Sequence, residues 1–212
     1  MVDYKRYSFS FTAASALIAE TLVIGEEYER LRDWQLVKDS VINKNLLNKI
    51  KEATIRREFT EIKKRIMLLT SEQFNLLISG SSDDARAMIL IGLVKTYSFL
   101  KDFIIEVLRN KYLVFDRILF ETDYIKFFNS KVLSHLELEA LTESTIKKIK
   151  QVIFRILEQV SLLIFNGNRI ILKPILSSRA IQVIVADDPF YLNCFLFSND
   201  EIRTLAQNFK DV

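Results

Sequence analysis

Four glycines (Gly25, Gly80, Gly92, Gly167) and two prolines (Pro174, Pro189) in 212 residues constrain this chain more than anything else in it. Together they amount to about a quarter of ordinary usage. Glycine supplies the positive φ of tight turns and proline stops helices, and neither occurs between residues 93 and 166. The chain is therefore expected to be mainly α, with long helices and few tight turns. Half of it is hydrophobic and 27% is charged, enough at this length to bury a core without disulfides.

The same scarcity removes whole function classes. No two glycines are spaced for GxGxxG or GxxxxGK[ST], so nucleotide binding by a phosphate loop is not expected. One cysteine (Cys194) and one histidine (His135) make neither an internal disulfide nor the usual Cys/His zinc site. A single free thiol and a mixed polar start over residues 1–6, with no secretory leader, point to a reducing, cytoplasmic setting. The longest charge-free run, residues 7–19, and the apolar run 87–94 both fall short of the roughly 18 apolar residues a membrane span needs. A mean hydropathy of +0.14 then signals a thick helical core.

Net charge is only +3, but it is unevenly placed. Residues 44–65 hold Lys44, Lys49, Lys51, Arg56, Arg57, Lys63, Lys64 and Arg65 against Glu52, Glu58 and Glu61, a net +5. Residues 142–179 hold Lys147, Lys148, Lys150, Arg155, Arg169, Lys173 and Arg179 against Glu143 and Glu158, again +5. Residues 180–212 sum to −3, with Asp187, Asp188, Asp200, Glu201 and Asp211 against Arg203 and Lys210. Two basic blocks suit a polyanion, because neutralised phosphates release counterions; they are equally the solvated faces of two helices.

Side-chain oxygens that can cap helices mark the elements. Thr12 is expected to start a helix running to about Leu31, and Asp33 a second through Val41 or Ile42, with a break at residues 43–45. From Thr54, the apolar residues Ile55, Phe59, Ile62, Ile66 and Leu69 define an amphipathic helix that leaves Arg56, Arg57, Lys63 and Lys64 off the stripe. Thr70 and Gln73 form a capping box for a short helix ending near Gly80. Residues 81–84 start a helix that is apolar all round at 88–94, the expected spine. Another helix runs from Phe99 to about Tyr112. This gives segments 1–80, 81–121 and 122–212. The last ends in two weakly alternating stretches, 180–186 and 190–197, read as strands, and a capped helix from Ser198.

Within 122–212, Asp123 begins a short helix with Tyr124, Phe127 and Phe128 facing in, and a polar stretch covers 129–137. Thr142 caps a helix with Ile146, Ile149, Ile153, Ile156 and Val160 on its buried face. At 100° per residue, Ser144, Lys148, Gln151 and Arg155 fall within about 60° of one another on another face. These are residue types that reach phosphates and base edges. Asn166, Gly167 and Asn168 then separate two apolar runs, a strong hairpin signal. Short helix, turn, helix and β-hairpin is the order of a winged helix-turn-helix: Lys147, Lys148 and Gln151 would enter the groove while Arg169 and Lys173 grip the adjacent backbone.

Several stretches carry a resemblance. Residues 7–13 (YSFSFTA), 103–112 (FIIEVLRNKY), 124–131 (YIKFFNSK) and above all 141–157 (LTESTIKKIKQVIFRIL) resemble BrxA, a small component of BREX phage-defence systems. The resemblance covers most of residues 7–175. It implies a non-enzymatic, mostly helical protein that binds double-stranded DNA, with helix-turn-helix-like elements towards both ends, acting beside a methyltransferase and other BREX proteins. The family has also been labelled an inner-membrane protein, which the span count opposes, and likened to the RNA-binding factor NusB.

Catalytic candidates are weak. His135 sits in a polar turn without a nucleophile arranged near it and is expected at the surface or capping a turn. Cys194 lies among Leu192, Phe195, Leu196 and Phe197 as a small buried residue. Asp83 with Asp84 suits a helix start, and Asp187 with Asp188 precedes a turn proline. No enzyme activity, cofactor or metal is expected. The leading expectation is a DNA-binding accessory protein of phage defence, held by the helix 142–160 with its hairpin and by Arg56, Arg57, Lys63 and Lys64. The alternatives are a scaffold for BREX partners and a NusB-like RNA binder.

Overall fold

The apolar run 88–94 organises the molecule. A computed structural model of the chain describes residues 6–209; most of the polar segment 1–6, and Lys210 and Asp211 of the acidic tail, lie outside them. The first helix, α1 (Ile18–Leu31), is followed by α2 (Trp34–Asn43), α3 (Glu52–Ile66), α4 (Ser71–Ser79) and α5 (Ser82–Thr96). Every residue from Met88 to Val94 in α5 is buried, because α1, α3 and α4 all pack around it. Gly92 is what lets α3 come so close: a Cβ there would lie 3.1 Å from the Arg65 carbonyl oxygen.

The caps work largely as the side chains dictate. Asp33 accepts from the amides of Gln35 and Leu36, and Thr70 with Gln73 and Ser81 with Asp84 form reciprocal capping boxes. Thr12 does not begin a helix. Its hydroxyl donates to the Phe9 carbonyl at 2.8 Å and closes a 3-10 turn, Ser10–Ala13, after which the chain crosses in extended form to α1. The segment between is fixed from outside, by Arg65 and by Gln159, which accepts from the Ala16 amide.

The helix expected over 99–112 is α6 (Ser98–Phe103) and α7 (Asn110–Leu113) joined by a π-helical turn, Ile104–Arg109. That wider turn carries Arg109, which is buried and donates to the Phe197 carbonyl and Asn199 Oδ1, both at 2.7 Å. Strand β1 (Ile118–Leu119) then leads into α8 (Glu121–Val132), a 3-10 turn (Leu136–Leu138), α9 (Glu143–Gln159), and the strands β2 (Leu163–Asn166) and β3 (Asn168–Ile171). The sheet is antiparallel in the order β1-β3-β2, with Ile118, Ile170 and Ile164 in register. Gly167 turns the hairpin at φ 71°. Phe103, Tyr124, Phe127 and Phe154 interlock edge-on or tilted and set α8 and α9 onto the helix before them.

Three further expectations need correction. Helix α8 continues through Asn129 and Ser130 to Val132, absorbing the first part of the polar stretch. The two tail stretches are not strands but α10 (Ser178–Asp187) and a 3-10 segment, Pro189–Phe195, before α11 (Asn199–Asn208). The β-branched run 183–185 imitates a strand, yet Ala180, Val183 and Ile184 are buried at helical spacing and Ser177 caps the turn. His135 is buried rather than exposed: its ring stacks on Tyr7 at 3.8 Å and Nδ1 lies 3.2 Å from Glu137, which also accepts from the Tyr7 amide.

One cluster of buried side chains runs from Tyr7 to Leu196, with members in each of the segments 1–80, 81–121 and 122–212. The molecule is mainly α with a small hairpin-like sheet.

Candidate nucleic-acid interface

Helix α9 is displayed on a fixed base. Thr142 Oγ1 accepts from the Thr145 amide and Glu143 stands in the first turn, where the dipole favours an acid. Ile149, Val152, Ile153, Ile156 and Leu157 are buried, while Ser144, Lys147, Lys148, Gln151 and Arg155 are all exposed. Ser144, Lys148, Gln151 and Arg155 form one stripe about three turns long. Lys147 stands at its edge with Glu143 3.9 Å away, both open to solvent, a pairing worth little. No carboxylate lies within ion-pair distance of Lys148 or Arg155 among the described residues.

The hairpin cations are in a different situation. The Arg169 guanidinium lies 4.6 Å over the Phe154 ring, with Glu158 and Glu121 at 3.9 and 4.0 Å. Lys173 Nζ lies 2.6 Å from Glu201 and 3.9 Å over the Phe197 ring. Lys150 is held by Glu121 at 2.6 Å, and that bond keeps the Glu121 carboxyl below its ordinary range. Burial pushes Glu201 up, but bonds from Lys173 and from the Ser198 amide and hydroxyl outweigh it, so it too is lowered. Arg169 and Lys173 are therefore half-buried and paired, and α11 covers part of the block the sequence reads as open.

The first basic stretch is divided. Arg56 pairs with Glu52 one turn back, and Arg57 is exposed. Lys63 lies 5.5 Å over the Trp34 ring; Lys64 lies 5.6 Å over the Tyr97 ring and 3.4 Å from Ser10 Oγ. Lys49 is tied to Glu20 and Glu58 at 2.7 and 3.3 Å. Arg65 is buried and donates to the carbonyls of Ala14, Ser15 and Ala16. The sequence reading counts Arg65 in the basic block of residues 44–65 without giving it a place of its own; the available signal is its position at the edge of the Ile55–Ile62 stripe, beside Glu58 and Glu61, which are buried as well.

The remaining candidates resolve into structure. Cys194 is fully buried, and burial pushes its thiol up to about 12, which withholds the thiolate a nucleophile needs. Asp84 caps α5 and accepts from the Ser177 hydroxyl at 2.6 Å, Asp187 pairs with Lys95 at 2.7 Å, and Asp188 caps the Pro189–Phe195 segment. Among the described residues, no group of three His, Cys, Asp or Glu could hold a metal ion, and no helix is long and apolar enough to cross a membrane.

Known proteins resemble this chain along most of its length. A family model described as BrxA matches residues 5–188. A protein named "BREX protein BrxA" from Bacillus cereus (strain H3081.97) is 25% identical over 159 residues, which are 74% of this chain and 80% of the relative. Another of the same name, from Escherichia coli O9:H4 (strain HS), is 25% identical over 130 residues, 61% of each chain. A crystal structure of an uncharacterized protein from Magnetospirillum magneticum superposes with a TM-score of 0.79 at 17% identity, covering 90% of this chain and 98% of that one. At that identity it supports the fold alone.

Proposed function

The chain belongs to the BrxA family, whose named relatives are BREX proteins, and from that premise we propose that it is a non-enzymatic, cytoplasmic accessory component of phage defence that binds duplex DNA. The observation that carries this reading is the open stripe Ser144, Lys148, Gln151 and Arg155 on a rigidly held α9. Helix, β1, α8, turn, α9 and the β2–β3 hairpin follow one another in winged helix-turn-helix order, an arrangement that lays the second helix of the motif in the major groove. Lys147, Lys148 and Arg155 then contact phosphates, and Ser144 and Gln151 sit where sugars or base edges pass. Arg169 and Lys173 reach the flanking backbone by exchanging Glu121, Glu158 and Glu201 for phosphates. Arg56, Arg57, Lys63 and Lys64 on α3 supply a second, weaker contact. No cofactor is required.

The test is binding to a labelled random-sequence duplex across a salt series. Each phosphate neutralised contributes about −0.9 to the slope of log K against log salt, so Lys147→Gln/Lys148→Gln should flatten the slope by about 2 and weaken binding to every sequence alike. An unchanged slope and affinity in that variant removes the winged-helix reading.

A second reading, a docking module for another BREX protein, draws on Leu133 and Leu136, which are 89% and 75% exposed in the turn between α8 and α9. It predicts partner association that persists at salt concentrations abolishing duplex binding and is lost in Leu133→Ser/Leu136→Ser. The NusB-like reading is addressed in the same salt series by a single-stranded RNA competitor, which displaces the labelled duplex at a lower concentration than unlabelled duplex does only if RNA is the preferred ligand.

A further inference from the structure

One short stretch, residues 197–201, holds two cations at once. Arg109, carried on the π-helical turn, donates to the Phe197 carbonyl and to Asn199 Oδ1, both at 2.7 Å, while Lys173 at the end of the hairpin lies 2.6 Å from the Glu201 carboxylate and 3.9 Å over the Phe197 ring. Arg109 is buried, yet both of these acceptors are neutral, and no carboxylate lies within ion-pair distance of it among the described residues. Its guanidinium stands beside the first turn of α11, where the helix dipole presents its positive end. Burial pushes Arg109 below its ordinary value, and the charge of Glu201 acts against that shift. A buried cation is satisfied best by a charged acceptor, so α11 serves Arg109 less well than an anion would.

Helix α11 is also lightly attached. None of its residues is buried; Ile202, Leu205 and Ala206 pack only partly against the core, on α10 and the 3-10 segment before α11. The chain enters it from Leu196, which is fully buried and holds a φ of 62°, a left-handed conformation that residues other than glycine adopt at a cost. The fixed core therefore ends at Leu196, with a bend already in place. Helix α11 begins beyond residues 5–188, the stretch that the family model matches.

We propose that residues 197–201 stand in for a phosphate group on Arg109 and Lys173, so that α11 is a displaceable cover over a phosphate site. The ligand that lifts it is the duplex backbone; for that identity, and for nothing else, the inference rests on the duplex reading above. When a phosphate takes the two cations, Glu201 and Asn199 are released and the chain swings about Leu196. A helix of this length does not persist alone in water, so displacement melts α11.

The experiment is hydrogen–deuterium exchange on the full chain, comparing amides of α11 with those of α10, first alone, then with a random-sequence duplex at low salt, then with millimolar inorganic tripolyphosphate. Either phosphate ligand is expected to speed exchange in α11 about tenfold and leave α10 unchanged. Glu201→Gln should speed α11 several-fold in the free chain and tighten tripolyphosphate binding several-fold. Lys173→Gln, at the half-exposed cation, should also loosen α11 but abolish the further response to tripolyphosphate, which a merely structural role for the pair would not do. The proposal is overturned if a bound duplex leaves α11 as protected as before, if tripolyphosphate has no effect on it, if Glu201→Gln exchanges like the parent, or if Lys173→Gln keeps the full response. A bound duplex with α11 unmoved leaves the duplex reading standing and removes the cover. No duplex binding, with tripolyphosphate still opening α11, removes the duplex reading and supports the phosphate site, its ligand then being a free phosphate.

Discussion

The two basic stretches have the same net charge on paper and spend it in opposite ways. In residues 44–65, Arg65 and Lys49 are turned inward, one holding the carbonyls of 14–16 and the other bridging Glu20 and Glu58, while Arg56 is paired along its own helix. In residues 142–179, Lys148 and Arg155 stand open on α9, and it is the hairpin cations that are paired. The difference lies in what surrounds each helix. Helix α3 is covered by α1, α2 and α5, so a charge at the edge of its apolar stripe must find buried partners or be excluded. Helix α9 has one covered face and a free one, so its charges remain in water, available to an anion.

The most damaging way to break that contrast is to remove the inward charge. Arg65→Ala leaves three carbonyls of the N-terminal segment without their donor and should cost about 3–5 kcal/mol, the range for breaking buried charged contacts, read by chemical denaturation. Next in size, Lys148→Glu/Arg155→Glu should leave the unfolding free energy within about 0.5 kcal/mol of the parent, as exposed positions do, yet lower duplex affinity at least tenfold at low salt, on the order expected from losing two phosphate contacts. A loss of stability in that pair would show that the two stretches are alike after all.

Smaller effects sharpen the comparison. Asp84 ties α5 to Ser177 ahead of α10, and although burial pushes its carboxyl up, bonds from the Ser177 and Ser81 hydroxyls and the Ser81 amide hold it below the ordinary 3.8. A carboxyl lowered in the fold contributes stability that is complete above its unfolded pKa and is lost as pH falls through the folded value. Stability should therefore decline below about pH 4, and Asp84→Asn should remove part of that decline, measured by melting temperature against pH. Smallest, Glu201→Gln releases Lys173 at a cost of about 0–1 kcal/mol, since the pair is partly exposed. It should raise duplex affinity several-fold; unchanged affinity would mean that the hairpin stands away from the DNA.

Much of this was legible in the sequence where the determinant is local. The caps at Asp33, Thr70, Ser81, Thr142 and Ser198, the all-round apolar α5, and the Asn-Gly hairpin each depend on residues a few positions apart. The exposed face of α9 was legible for the same reason. What the sequence concealed depends on distant partners. Nothing near Lys173 announces Glu201, and nothing near His135 announces Tyr7. Thr12 could cap a helix, but residues 14–16 are claimed by Arg65 and Gln159 from elsewhere in the fold. The strand reading of 180–186 followed β-branched composition where burial instead follows a period of 3.6.

The most direct test compares one pair of open cations from each stretch in the same duplex salt series: Lys148→Gln/Arg155→Gln on α9 and Arg57→Gln/Lys64→Gln on α3. The α9 pair should flatten the slope of log K against log salt by about 2 and the α3 pair by less than about 1. A duplex affinity that survives the α9 pair and is lost with the α3 pair, or no duplex binding by the parent chain at low salt, would contradict the account.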